Sequence, residues 1–179
     1  MKTRNSRALT VTVTLAMLVA VSIVMGKFLA IRGGDILRFS FENLPIIFAG
    51  MAFGPLAGVL VGVVADLVGC VMVGYAINPI VTVGAAALGA SAGLVFSLLS
   101  KSKIPQSANI FITACISHLI GSVIIKTFGL AVFYDMPIWM LMLWRLLNYV
   151  IVGVAEATIL TLLMKNKEIA SKLLHKQRR

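Results

Sequence analysis

Four groups in this chain sit where hydrocarbon rejects them. Asp66, Lys126, Arg145 and Asn148 all lie within long apolar runs. An ionisable or amide group in such a run is expensive, usually faces the interior of a helix bundle, and marks a ligand path by default. Arg145 and Asn148 are three residues apart, so a helix puts them on one face. A guanidinium beside an amide makes a polar wall for an anionic or heteroaromatic ligand, because it bonds a carboxylate bidentately or stacks on a ring. Asp66 is a carboxylate that accepts two parallel donors in a fork; pairing with an internal cation, or capping a neighbouring helix, is the alternative role. Lys126 falls late in its segment, where it either meets an anion or snorkels to the interface. Glu156, eleven residues after Arg145, reads as a structural partner or a proton-sensitive group. His118 has no second or third ligand in a metal pattern, so interhelical hydrogen bonding suits it better than metal.

The elements that position these groups follow from composition. Sixty per cent of the 179 residues are apolar and 12 per cent charged. Runs of roughly 20 apolar residues match a ~30 Å hydrocarbon core. With no water at that depth, helices or a closed barrel are the only options, and the runs are too continuous for barrel strands. The chain therefore reads as an all-α integral membrane protein, one domain over residues 1–179. Its six segments run from about Ala8 to Ala30, Asn43 to Phe53, Pro55 to Val73, Pro79 to Ser100, Ala108 to Phe133, and Pro137 to Met164.

The net charge of +10 raises nucleic acid as a partner until the cations are placed. Lys2, Arg4 and Arg7 precede the first segment, Lys101 and Lys103 share one short loop, and a basic tail occupies about 165–179. That is the positive-inside pattern. It puts both termini in the cytoplasm of a multi-pass cell-membrane protein and leaves the loops near 31–42, 74–78 and 134–136 outside. The N-terminal run is too long for a signal peptide and has no small-residue cleavage site. Cys70 and Cys115 have no CxxC spacing and read as small buried hydrophobes.

The second segment is short. Eleven residues reach only about 16 Å, half of the bilayer core. Asn43 is a candidate N-cap, Pro45 sits where a missing N–H is harmless, and Phe53-Gly54-Pro55 turns the chain sharply. The preceding stretch, Arg38-Phe39-Ser40-Phe41-Glu42-Asn43-Leu44-Pro45, must then dip into the bundle as a re-entrant-like loop. Irregular backbone at that depth is tolerated where it lines a cavity; an ordinary surface loop is the other reading.

These residues carry a family resemblance. Phe39-Ser40-Phe41 with Leu44-Pro45, then Phe53-Gly54-Pro55-Leu56-Ala57-Gly58, Ala65-Asp66, and Ile77-Asn78-Pro79 resemble the S component of an energy-coupling factor (ECF) vitamin transporter. The likeness spans nearly the whole chain and is greatest to the folate-specific members. The aromatic-Ser and FGP elements are shared with riboflavin carriers, but those favour an acidic residue near the position held here by Arg38. The resemblance implies capture of folate at the outer face, and delivery to a transmembrane coupling subunit driven by two ATPases. No cofactor is implied. The chain contains no GxxxxGK[ST] phosphate loop, which fits a capture subunit that is not an enzyme.

A pterin offers a ring N–H beside an exocyclic amine, a pair suited to Asp66, and the glutamate tail suits Arg38 and Lys126. Asn78 resembles the family's loop asparagine, though an N-cap for the fourth segment is an equal role. Among Phe39, Phe41, Tyr75, Trp139 and Trp144, some are expected to stack on the pterin and some to anchor at the interface. Thr12, Ala16 and Ala20 form a small-residue stripe; the resemblance makes Ala16 and Ala20 the docking face for the coupling subunit, and packing inside the bundle is the alternative. Another vitamin such as riboflavin, pantothenate or a pyrimidine is the nearest rival ligand. A small intramembrane enzyme and a self-sufficient channel or carrier are the rivals from other classes.

Overall fold

The computed structural model describes residues 2–33 and 37–165, with side chains over 8–31 and 39–165. The basic tail beyond Lys165 and the side chain of Arg38 lie outside the described residues. Helix α1 (Lys2–Ile23) continues into a π-helical turn, Val24–Phe28. Strands β1 (Ile31–Gly33) and β2 (Leu37–Phe39) follow, antiparallel, with Ile31 opposite Phe39 and Arg32 opposite Arg38. Then come α2 (Asn43–Phe53), α3 (Pro55–Val73), α4 (Pro79–Leu99) and α5 (Gln106–Ser117). A second π-helical stretch, His118–Ile125, joins α5 to α6 (Lys126–Tyr134), and α7 (Ile138–Lys165) ends the bundle.

Apart from this short hairpin the described fold is helical, as expected. Five helical stretches are long and apolar enough to cross a membrane, one of them the continuous run Gln106–Tyr134, and α2 is the shorter apolar helix. Between α1 and α2 the chain forms the two-stranded hairpin, a feature the sequence did not announce. Strand pairing bonds backbone groups that a plain loop would leave open.

Local chemistry sets the boundaries. Gly54, at φ 98°, makes the turn that separates α2 from α3, and Pro55 opens α3 where no N–H is needed. Gly74, at φ 69°, closes α3 in the left-handed conformation. Asn78 caps α4: its Oδ1 accepts from the N–H groups of Ile80 and Val81 at 3.0 and 3.4 Å.

Helix α2 is apolar on all sides and correspondingly enclosed, touching α1, α3, α4 and α7. Its Leu44, Ile47 and Met51 join Val61, Leu88, Phe96 and Leu160 in the core. The tightest packing is glycine against glycine. Gly58 of α3 and Gly89 of α4 touch backbone to backbone, and a Cβ on Gly62 would meet the Ala85 carbonyl oxygen at 2.5 Å. A Cβ on Gly50 of α2 would meet the Gly89 oxygen at 2.6 Å. These small residues four apart (Gly58 and Gly62; Ala85, Gly89 and Gly93) let backbones approach where lipid supplies no hydrophobic drive.

Overpacking that seam is expected to be costly. Gly89→Val should lower stability by at least about 1–3 kcal/mol, read as a fall in the melting temperature of the detergent-purified chain. Gly153→Ala, where a Cβ meets only His118 Cδ2 at 3.5 Å, should melt like the parent. Equal melting of parent and Gly89→Val would mean the seam is looser than drawn.

Candidate functional site

Five elements converge at the hairpin end of the bundle on a small polar cavity. Its walls include Ser22 and Lys27 from the end of α1, Glu42 ahead of α2, Asp66 from α3, and Lys126 from α6. Gly62 and Ala85 lie at its base, so the close contact of α3 with α4 forms the floor. The volume is about 20 Å³, room for little more than one water, against roughly 300–1,000 Å³ for ligand pockets.

The cavity holds charge of both signs. Asp66 Oδ2 accepts a 2.7 Å hydrogen bond from Thr82 Oγ1 across the α3–α4 seam. Lys126 is 5% exposed; its Nζ donates to Asn43 Oδ1 at 3.3 Å and lies 3.6 Å from Glu42 Oε1. Asn43 Nδ2 donates in turn to Ser122 Oγ at 3.3 Å. Lys27 Nζ lies 5.5 Å from the centre of the Tyr75 ring and 4.0 Å from Cys70 Sγ.

Asp66 and Lys126 are thus brought together. Of the two positions open to Lys126, the structure shows the interior one: the side chain is buried, held under α4 where a Cβ on Gly84 would strike its Cγ. Arg145 is not in the cavity wall. Its Nε donates to the Ser122 carbonyl oxygen at 3.2 Å, its Nη2 to Tyr149 Oη at 3.3 Å, and the guanidinium lies 5.4 Å from the centre of the Tyr149 ring. Asn148 is buried on the same helix. Asn78 spends its amide on the α4 cap and, through Nδ2, on the Gly129 carbonyl oxygen at 2.8 Å. Phe39 is half-buried in β2, which touches α7. Phe41 lines a separate, wholly apolar groove with Leu18, Val21, Phe48 and Leu163. Tyr75 and Trp144 are exposed, and Trp139 is 81% exposed, a position suited to lipid contact.

Sequence reasoning did not single out Lys27 or Glu42 as cavity groups, nor Asn43 and Thr82 as the hydrogen-bond partners of Lys126 and Asp66. Lys27 and Glu42 are charges at the ends of apolar runs, a weaker signal than the mid-run carboxylate that singled out Asp66. Asn43 was read as a helix cap, yet its side chain is completely buried and turned to Lys126 and Ser122.

Away from the cavity, His118 Nε2 meets Glu156 Oε2 at 2.6 Å with both side chains buried, and the Tyr149 ring stacks on the imidazole at 5.0 Å. This is the interhelical bond expected of His118, made to Glu156 of α7. Thr12, Ala16 and Ala20 are exposed along α1, so the stripe faces away from the bundle. Among the described residues no group of three or more His, Cys, Asp or Glu side chains is arranged to hold a metal.

The His118–Glu156 contact makes a stability prediction. Removing one partner of a buried pair strands the other and costs about 3–5 kcal/mol, so His118→Leu should melt far below the parent. The double variant His118→Leu/Glu156→Leu should recover much of that loss. A double variant as unstable as the single one would show that the two side chains are not coupled.

No curated protein sequence gives a significant match. Among solved structures, one described as FolT bound with folic acid superposes with a TM-score of 0.64 at 23% identity, covering 86% of this chain and 88% of that one. The S component of a bacterial ECF transporter gives 0.67 at 21% identity, covering 93% and 98%. The S-component for biotin from an ECF-type ABC transporter gives 0.67 at 16%, covering 90% and 94%. At these identities the likeness is one of fold. The family model for the substrate-specific component of ECF transporters matches residues 10–165. The chain belongs to that family: it is a multi-pass membrane subunit that binds a transported substrate, and it is not an enzyme.

Proposed function

We propose that this subunit captures folate, from outside the cell, in the cavity between Asp66 and Lys126. The observation that carries the reading is the cavity's two-signed lining, a carboxylate on the α3–α4 floor facing buried or half-buried ammonium groups from α1 and α6. Folate has the matching polarity. Its pterin presents two adjacent donors that suit the Asp66 carboxylate, and its glutamate tail presents carboxylates that suit Lys126 and Lys27. The FolT neighbour supports the same ligand, and the resemblance of the RFSF, LP and FGPLAG stretches points the same way.

A cavity of about 20 Å³ takes folate only after Glu42 and the end of α1 separate from α3 and α6. Capture therefore includes an opening step. A carboxylated vitamin other than folate is the second reading, favoured by the biotin S-component's equal overlap in fold. Both termini lie in the cytoplasm on this account, and the capture subunit docks through Ala16 and Ala20 on a transmembrane coupling subunit that two ATPases drive.

Two measurements test the reading. By calorimetry, folate should bind the purified chain without ATP. Lys126→Ala should weaken it about tenfold or more, the loss typical of a hydrogen bond to a charged group, and Arg145→Ala should weaken it less. Binding of biotin or riboflavin with none of folate would overturn the vitamin assignment, and a larger loss in Arg145→Ala would move the site to α7.

The second concerns docking. Ala16→Trp or Ala20→Trp should abolish folate uptake by cells carrying the whole transporter while the purified subunit still binds folate. Uptake at the parent rate would place the docking face elsewhere.

A further inference from the structure

Glu42 ends the loop before α2, and three other elements hold it in place. Its backbone oxygen accepts a 2.6 Å hydrogen bond from Ser22 Oγ of α1. Its carboxylate lies 3.6 Å from the buried Lys126 ammonium of α6. A Cβ added to Gly26, in the π-helical turn of α1, would meet Glu42 Oε2 at 2.5 Å and Glu42 Cβ at 2.8 Å. The side chain thus occupies space that a glycine leaves open, and it lines the cavity together with Lys27, Asp66 and Lys126.

A buried ammonium without a counter-charge is strongly unfavourable. Lys126 meets that requirement inside the chain, from Glu42 on the loop before α2. A ligand carboxylate arriving at Lys126 needs the same position. We infer that Glu42 is an internal substitute for the ligand's carboxylate: it holds the anion position beside Lys126 when no ligand is bound, and a carboxylate-bearing ligand binds by displacing it.

The exchange keeps the charge beside Lys126 unchanged, one carboxylate leaving as another enters. Because Glu42 follows β2 by three residues, its release also frees the loop from α6, which couples ligand entry to opening. Glu42 then acts as a specificity residue. A ligand with no carboxylate cannot replace it, so an uncharged look-alike meets an occupied site, an element of discrimination built from competition. The inference rests on the cavity being the vitamin site and does not require that the vitamin be folate.

The test uses the full chain in detergent, with Glu42→Gln and Gly26→Ala made separately. The first removes the charge and keeps the shape; the second puts a methyl group where the carboxylate lies. Folate, biotin and the uncharged 6-hydroxymethylpterin are titrated into each, and amide hydrogen exchange over residues 39–44 is followed without ligand. Glu42→Gln should raise the affinity for the carboxylated ligand by about tenfold, the scale of a removed competing charge pair. Gly26→Ala should shift it in the same direction, and 6-hydroxymethylpterin should change less than twofold. Exchange over 39–44 should quicken in both ligand-free variants.

An affinity for the carboxylated ligand that falls or stays put in Glu42→Gln overturns the inference, as does an equal gain for the uncharged pterin. If biotin binds where folate does not, and gains in Glu42→Gln, the vitamin assignment fails and the substitution stands. If none of the three probes binds, unchanged exchange over 39–44 in Glu42→Gln overturns it and faster exchange supports it. Should Gly26→Ala not fold, Glu42→Gln decides alone.

Discussion

The backbones of α3 and α4 touch at Gly58 and Gly89, and most of the molecule is arranged around that contact. Two helices this close cannot shift without a clash of main-chain atoms, so their registers are fixed relative to each other. One turn towards the hairpin end the same seam brings Gly62 against Ala85, and one turn further it brings Asp66 within hydrogen-bonding distance of Thr82. The acidic group of the cavity is therefore set by the most rigid pairing in the bundle. Helix α2, docked on the same glycines through Gly50, fixes where Glu42 and Asn43 can stand.

The cations arrive from elements joined differently. Lys27 comes from the end of α1, a helix with one narrow face on the bundle and most of its span exposed. Lys126 comes from α6, just after the π-helical stretch His118–Ile125. A π-helical turn frees a carbonyl from the regular ladder and is common at functional sites. Here the Ser122 carbonyl accepts from Arg145 Nε and, more distantly, from Thr127 Oγ1 at 3.4 Å. The same stretch begins with His118 bound to Glu156. In hydrocarbon each of these groups would be costly alone; together they tie the irregular part of the span to α7, and so hold Lys126 over the cavity. A rigid acidic floor beneath less firmly joined cationic walls suits a site that opens for a ligand and closes on it.

Much of this was legible from residue types. The bounds of α2 and α3 and the abrupt turn at Gly54 follow from length and from Pro and Gly placement, whereas periodicity gave the Ala16 and Ala20 stripe but left its direction open. Asp66 was found because a carboxylate mid-span has few structural excuses. Lys126 was left between a ligand site and the interface because depth along a straight helix says nothing about direction once a π turn intervenes. One extra residue rotates everything after it by about 100°, which carries Lys126 under α4. Asn43 was misread because a local capping rule competes with a tertiary network, and the network won. The GxxxG spacing of Gly58 and Gly62 was visible in the sequence, but the α4 partner that gives it meaning is fixed only by the three-dimensional pairing.

The central claim is that substrate binds between Asp66 and Lys126, beneath the hairpin. An electron-density map of the chain purified with its own vitamin tests this most directly, with mass spectrometry to identify the compound. The account predicts density bridging the Asp66 carboxylate and the Lys126 ammonium, with the 39–42 loop closed over it. Density in the apolar groove lined by Leu18, Phe41 and Leu163, with the Lys126 cavity unchanged, would contradict it.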